Sequence, residues 1–392
     1  MGEGAAEPSR TFKHRVTLTS KGTSFLDCAD MGDAQPKRIT IVYAQRVDPV
    51  GLTSLAFDAY LPTGTSAVDV STNGEIVLPA VVYFHGGGLT VGNRDSWFPT
   101  WLQKRVLSLG FIFISADYEL IPPSNGHNIA KNLQDLFCFL SRNAIKSEGR
   151  AFHVDTERIT VSGSSAGGLC AYLAAIHCSP KPKAIVSMYG MGGDFLTPHY
   201  LRSKTEVFFR GRELLNPVDF AEYMHPFQLE KLPRIADSPL VYHPPSYHIP
   251  GYPANPRMLL ARLYLQLGIF LDYYTARHEP SLSSTLRSLL GGDIDALRQA
   301  VPEECRSLFP QFCVDKGWPP TMLLHGTNDT AVSVEESRNL RSMLENLGVA
   351  VQLTEFEGKE HSFDYEPGAE DIWKDHFDNV NHFIGRFLKA SS

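Results

Sequence analysis

Ser165 sits in the pentapeptide Gly163-Ser164-Ser165-Ala166-Gly167, between the β-branched run RITVS (158–162) and a stretch with helical spacing, AGGLCAYLAAIH (166–177). G-x-S-x-G between a strand and a helix is the sharp turn that presents a nucleophilic serine. A serine held on such a turn has a strained backbone, and a Cβ two residues to either side would collide with the neighbouring chain, which is why glycine stands at 163 and 167. The following helix points its positive end at charge developing near Ser165. Taken alone, the same five residues also describe an ordinary Gly/Ser turn.

A second motif changes the weighting. His85-Gly86-Gly87-Gly88 follows the apolar run AVVYF (80–84). When a serine attacks an acyl carbon an oxyanion forms, and the N–H groups of a glycine-rich loop reach it without obstruction by side chains. Gly87 and Gly88 are the expected donors, Gly86 a turn residue or a substitute for either, and the Ala166 N–H the third donor. His85 reads as a structural hydrogen-bonding residue.

A serine hydroxyl needs a base, and the base needs an orienting carboxylate. Both are expected after Ser165 in the chain order Ser, Asp, His. Gly326-Thr327-Asn328-Asp329 follows the run TMLLH (321–325), and Gly358-Lys359-Glu360-His361 follows VQLTEF (351–356). Each lies just past the carboxyl end of an expected parallel strand, where an open α/β sheet assembles its site. Asp329 and His361 are therefore the candidate acid and base. His376 and His382 fall on different faces of the last helical stretch and suit solvated roles.

The elements that must position these residues alternate. Strands are expected at 11–20, 38–47, 52–61, 80–85, 111–116, 158–162, 183–189, 321–325 and 351–356, and helices at 97–109, 128–143, 166–177, 333–346 and 370–388. That order predicts an α/β fold with a mostly parallel central sheet flanked by helices on both faces. The rhythm stops between about 195 and 315. Eight prolines lie between His225 and Pro256, followed by an amphipathic helix over about 257–277. Proline cannot supply interior ladder hydrogen bonds, so 195–315 reads as an inserted, largely helical cap on a catalytic domain of 1–194 and 316–392, with room for a contribution from the N-terminal segment. Residues 64–76 read as a surface loop. Tyr242, Tyr247, Tyr252, Tyr264, Tyr273, Tyr274 and Phe270 either line a pocket over Ser165 or pack the cap onto the sheet.

Composition bounds the partners. With 392 residues, 43% hydrophobic and 20% charged, the chain can bury a large core, and its net charge of −7 offers no electrostatic footprint for nucleic acid or an anionic membrane. The six cysteines, at 28, 138, 170, 178, 305 and 313, form no C-x-x-C pair and read as reduced core thiols. The amino-terminal residues lack the apolar stretch of a secretory signal, and Met258 to Tyr274 is too short and too charged to span a bilayer, so a cytoplasmic protein is expected. There is no HExxH, cysteine cluster, GxGxxG after a first strand or Walker sequence, and neither a metal nor a cofactor is expected.

Four blocks resemble the hormone-sensitive-lipase-like branch of the α/β-hydrolases, which includes bacterial, fungal and plant carboxylesterases. They are YFHGGG (83–88), SADYELIPP (115–123), VDTERITVSGSSAGG (154–168), and HGTNDTAV (325–332) with GKEHSF (358–363). The resemblance implies a triad of Ser165, Asp329 and His361, an oxyanion hole at Gly86, Gly87, Gly88 and Ala166, and a cap that forms the substrate pocket. The chain departs from that pattern at Leu89, where an aromatic is usual, at Ser164, where Asp or Thr is usual, and at Glu119, where Arg is usual; the separation of Ser165 from Asp329 is also long, implying an enlarged cap. The expected function is hydrolysis of a small-molecule carboxylic ester, with bulky or aromatic groups accommodated, by a monomer or homodimer. A lactonase, acyltransferase or cyclase of secondary metabolism would use the same triad. A non-catalytic hydrolase-fold receptor stays open as a third class, although such receptors lose the histidine that is present here at 361.

Overall fold

In a computed structural model, which describes residues 36–63 and 75–389, nine strands form one sheet in the order β1-β2-β4-β3-β6-β7-β8-β9, with β5 paired to the outer part of β6. The strands are β1 Arg38–Asp48, β2 Gly51–Tyr60, β3 Ile76–Phe84, β4 Ile112–Ala116, β5 Ile145–Ser147, β6 Arg150–Ser164, β7 Ala184–Met188, β8 Thr321–Gly326 and β9 Val351–Phe356. β1 and β2 pair antiparallel, as do β2 and β4 and β5 and β6; the remaining pairings are parallel. The expected strand at 11–20 and the contribution expected of the N-terminal segment lie outside the described residues, as does nearly all of the expected loop at 64–76.

The central strands are continuous apolar runs because both faces of the sheet are covered. Along β3, Ala80, Val82 and Phe84 enter the core on the side of α2 (Gly126–Arg142) and α3 (Ala166–His177), while Val81 and Tyr83 enter the opposite core with α1 (Thr100–Ser108) and a carboxyl-terminal helix. Pro79 is tolerated in this central strand because the β3–β6 register shifts between Leu78 and Ala80. The β5–β6 hairpin was not expected from the sequence. Its turn, Glu148-Gly149, has positive φ at both residues, the geometry of a two-residue hairpin loop, without the Asn-Gly or Asp-Gly pair that usually announces one.

No strand of the sheet falls between Met188 and Thr321. The chain there forms α4 Pro198–Leu201, α5 Arg257–Leu267, α6 Phe270–Thr275, α7 Leu282–Ser288, α8 Ile294–Ala300 and α9 Glu303–Arg306. The single helix expected over 257–277 is broken at Gly268, which closes α5 in the left-handed conformation and where a Cβ would lie 2.6 Å from the Leu201 carbonyl oxygen. After β8 come α10 Val334–Asn346, α11 Ala369–Ile372 and α12 Lys374–Leu388, so the last expected helix is interrupted at Trp373. Cys170, Cys178 and Cys305 are buried thiols, but Cys138 is exposed on α2, which corrects its assignment to the core. Among the described residues no helix is long and apolar enough to cross a membrane.

Candidate active site

The sequence motifs converge at the carboxyl ends of β3, β6, β8 and β9. Ser165 has φ +55°, ψ −119°, between the end of β6 and the first turn of α3. A Cβ on Gly163 would stand 2.0 Å from the Gly167 carbonyl oxygen, and one on Gly167 would stand 1.9 Å from that of Phe84, so the turn closes only with glycine at both positions. The Ser165 backbone is held by its own N–H on the Met188 carbonyl at 2.9 Å and by Gly168 and Met191 N–H groups donating to its carbonyl at 2.9 and 3.1 Å. Its side chain is therefore positioned by backbone bonds that a substitution at Ser165 leaves in place.

The His85–Gly88 loop runs beside this turn; a Cβ on Gly86 would be 3.4 Å from that of Ser165. Gly87 and Gly88 have φ of +104° and +61°. Added Cβ atoms would strike the Val91 carbonyl at 2.1 Å and the Ala261 Cβ at 2.2 Å respectively, so the loop lies directly under α5. Among the described residues, the N–H groups of Gly87, Gly88 and Ala166 make no backbone hydrogen bond. His85 is structural. It is wholly buried, stacks on Tyr118 at 4.4 Å and donates from Nδ1 to the Gly86 carbonyl at 2.7 Å; desolvation lowers its pKa to about 4, which keeps it neutral.

Asp329 and His361 come together. His361 Nδ1 is 2.6 Å from Asp329 Oδ2, and Asp329 Oδ1 accepts from the Ala331 and Val332 N–H groups, both at 2.9 Å. Burial on its own would raise the Asp329 carboxyl, but His361 and His325 beside it outweigh burial and hold it well below the ordinary carboxylate range. An ionised Asp329 requires the His361 proton on Nδ1 and leaves Nε2 as the acceptor. The imidazole is fixed from a second side by Tyr189, whose ring meets it edge-on at 4.6 Å and whose hydroxyl donates to Asp364 Oδ1 at 2.6 Å. His376 and His382 are exposed, as expected.

A cavity of about 530 Å³ joins these groups: Gly86, Gly87, Gly88, Ser165 and His361 line it from the sheet side. From the β7–β8 segment it is lined by Tyr242, Tyr252, Arg262 and Phe270 among others. The seven aromatic rings singled out in the sequence thus divide. Tyr264 and Tyr273 stack on one another at 3.8 Å, Tyr274 packs on Phe195 at 5.4 Å, and Tyr247 stacks on His243 at 3.8 Å. Of the three departures from the family pattern, Leu89 and Glu119 are wholly buried outside the cavity, and Ser164 lines it while its Oγ shares a 2.8 Å hydrogen bond with the Tyr83 hydroxyl.

Comparison with known proteins agrees with this architecture. The family model described as the α/β-hydrolase fold matches residues 81–242. The chain has the α/β-hydrolase fold. It is 32% identical over 117 residues to the "Probable carboxylesterase M8" of Phoma sp., covering 28% of this chain and 37% of that protein. It is 26% identical over 374 residues to the non-reducing polyketide synthase Preu3 of Preussia isomera, covering 86% of this chain and 13% of that one. The chain thus spans under half the length of the curated relatives it matches. Its fold is shared with a butyrate-bound thermophilic esterase of Thermogutta terrifontis, at TM-score 0.52 and 17% identity over 91% of this chain and 96% of that one.

Several residues of the site were not singled out from the sequence. His325, the penultimate residue of β8, has Nε2 3.3 Å from Asp329 Oδ2 and Nδ1 2.7 Å from the Ser337 Oγ, and Asp364 lies three residues past His361. His325 opens the marked block HGTNDTAV and Asp364 lies one residue past GKEHSF, so proximity to the motifs was the available signal. Glu336, whose carboxylate accepts from the Gly192 and Gly193 N–H groups at 2.6 and 3.2 Å, and Arg262 carried no such signal.

Proposed function

We propose that the protein hydrolyses carboxylic esters through an acyl-enzyme on Ser165. His361 Nε2 takes the hydroxyl proton as Oγ attacks the ester carbonyl, Asp329 holds the tautomer and stabilises the imidazolium, and the N–H groups of Gly87, Gly88 and Ala166 receive the oxyanion. Gly86 keeps the loop against Ser165. Collapse of the tetrahedral adduct expels the alkoxide, which His361 protonates; the neutral imidazole then activates water, whose attack on the acyl-enzyme releases the acid and restores the serine. The β7–β8 segment, 195–315, acts as the cap over this site. The observation that carries the reading is the meeting, in one cavity, of a positive-φ serine, unpaired glycine N–H groups and an Asp-paired histidine.

Reaction with a fluorophosphonate is expected to label Ser165, and Ser165→Ala is expected to lose at least about 10³-fold in kcat on p-nitrophenyl esters with an unchanged circular dichroism spectrum. A Ser165→Ala enzyme that keeps a tenth of the wild-type kcat would sink the assignment. A second reading, transfer of the acyl group to an acceptor other than water or cyclisation of a bulky acyl chain, is favoured by the match of most of this chain to part of a polyketide synthase. Product analysis in the presence of alcohol acceptors separates the two.

A further inference from the structure

Two buried arginines on α5 behave differently. Arg257 is satisfied by backbone: Nη1 donates to the Thr90 carbonyl at 3.2 Å and reaches that of Ile121 at 3.5 Å, and Nη2 donates to Pro122 at 2.5 Å. It ties α5 to the loop beside the glycine strip. Arg262, five residues on, is equally buried at 5% exposure, yet its guanidinium has one long contact, Nη2 to Glu213 Oε1 at 3.4 Å. Its Nε is buried with no hydrogen-bond partner, and Glu213 is itself half exposed. A buried guanidinium with so little compensation is costly unless something else supplies a counter-charge.

The surroundings point to the cavity as the source. Arg262 lines it, and the preceding residue, Ala261, is the one that packs on Gly88. The charged side chains lining the cavity, histidine apart, are Arg210, Arg212, Arg262 and Glu213, so cations outnumber anions there in a chain whose net charge is −7. Arg210 is 3.7 Å from Glu360, whereas the Arg212 guanidinium makes no hydrogen bond or ion pair among the described residues. A planar guanidinium with unused donors is matched to a carboxylate, which accepts two parallel N–H bonds.

We infer that Arg262 is a specificity residue that receives a carboxylate carried by the substrate, so that the preferred substrates are esters bearing a free carboxylate away from the scissile carbonyl. This inference rests on the ester-hydrolase reading for its kinetic form, though binding at Arg262 is independent of turnover. Glu213 holds the guanidinium when the site is empty and competes with the incoming anion. Tyr242, Tyr252 and Phe270 supply the apolar walls for the connecting chain.

The test is a series of monomethyl esters of the linear dicarboxylic acids from succinic to suberic, each set against the same ester with a carboxamide in place of the free acid. At the best chain length kcat/KM is expected to favour the acid by at least about tenfold, because a buried site built for an anion is left unpaired by the amide. In Arg262→Met that ratio is expected to collapse toward one, and in Glu213→Gln, which removes the competing anion, to rise. Calorimetric affinity of the same pairs for Ser165→Ala reads the subsite without catalysis: if neither compound is hydrolysed by the wild type but the acid still binds about tenfold more tightly, the hydrolase reading fails and the subsite stands. A best ratio within about twofold in both measurements, or one that Arg262→Met leaves unchanged, overturns the inference. Should Arg262→Met fail to fold, an unaltered ratio in Glu213→Gln overturns it equally.

Discussion

The carboxyl edge of the sheet and the β7–β8 segment face one another across one cavity, yet they treat their buried charged groups in opposite ways. On the sheet side the two carboxylates flanking His361 are committed: Asp329 holds two backbone N–H groups and two histidines, and Asp364 holds Tyr189 and Trp101. On the facing side Arg262 is buried with a donor unpaired. Chemistry that is the same for every ester is best served by donors fixed in advance. Selection among esters is better served by a group whose partner arrives with the substrate. On the proposed mechanism and subsite, the comparison separates a side built for one transition state from a side completed by its ligand.

The largest way to break this picture is Asp329→Asn. The amide would accept backbone N–H bonds as before but present an NH₂ group to His361 Nδ1, moving the imidazole proton to Nε2, where it can no longer accept from Ser165. A loss of about 10³-fold or more in kcat/KM is expected on any ester, charged or neutral. If the loss is under tenfold, the sheet side is not fixed in the way its hydrogen bonds indicate.

A sharper contrast comes from paired substitutions on α5. Arg257→Met leaves the Thr90 and Pro122 carbonyls without their donor and frees the helix from the loop beside the glycine strip, at a cost of about 2–4 kcal/mol. With an unfolding entropy of roughly 2 cal/mol/K per residue, a chain of 392 residues shifts by about 1.2 °C per kcal/mol, so the melting temperature should fall by about 2–5 °C. Arg262→Met removes an undercompensated buried charge and should be neutral or stabilising in the absence of ligand. Differential scanning calorimetry of both variants checks the sign of the difference; equal destabilisation would make Arg262 another structural tie.

What could be read from the sequence follows the same division. Gly163, Gly167, Gly87 and Gly88 were legible because their backbone approaches forbid a side chain, and Asp329 and His361 because parallel strands deliver loops to one edge. The sheet itself was legible from runs such as AVVYF and FIFIS, whose two-sided burial leaves no polar alternation. The path of the β7–β8 segment was not, since short helices separated by prolines carry no period long enough to set a face. Arg262 was invisible for a related reason: an arginine on an amphipathic helix reads as a solvated residue until the packing around that helix is known to bury it. Pro79 within β3 was hidden by compensation, its bulge being set by β6.

The smallest expected effect concerns the join between the two sides. Glu336 lies on α10, accepts from the Gly192 and Gly193 N–H groups and from the Tyr200 hydroxyl at 2.6 Å, and thereby holds the residues after Met191, which both lines the cavity and donates to the Ser165 carbonyl. Burial raises its pKa from 4.5 to about 8, outweighing the Tyr200 and backbone donors, with Asp194 adding to the rise. A carboxyl whose pKa is higher folded than unfolded binds more protons in the native state, so its contribution to stability is complete below about 4.5 and is lost as the pH rises through about 8. The wild-type melting temperature should therefore decline between about pH 5 and pH 9 by more than that of Glu336→Gln. Glutamine can accept from the two glycines through Oε1 and donate to the Tyr200 oxygen through Nε2, which reproduces the neutral acid and removes its titration. Melting curves of the two proteins across that range isolate the Glu336 share from thiols and tyrosines common to both. Parallel curves would mean that Glu336 keeps its charge in the fold, and that the join, like the sheet side, is organised around a fixed anion.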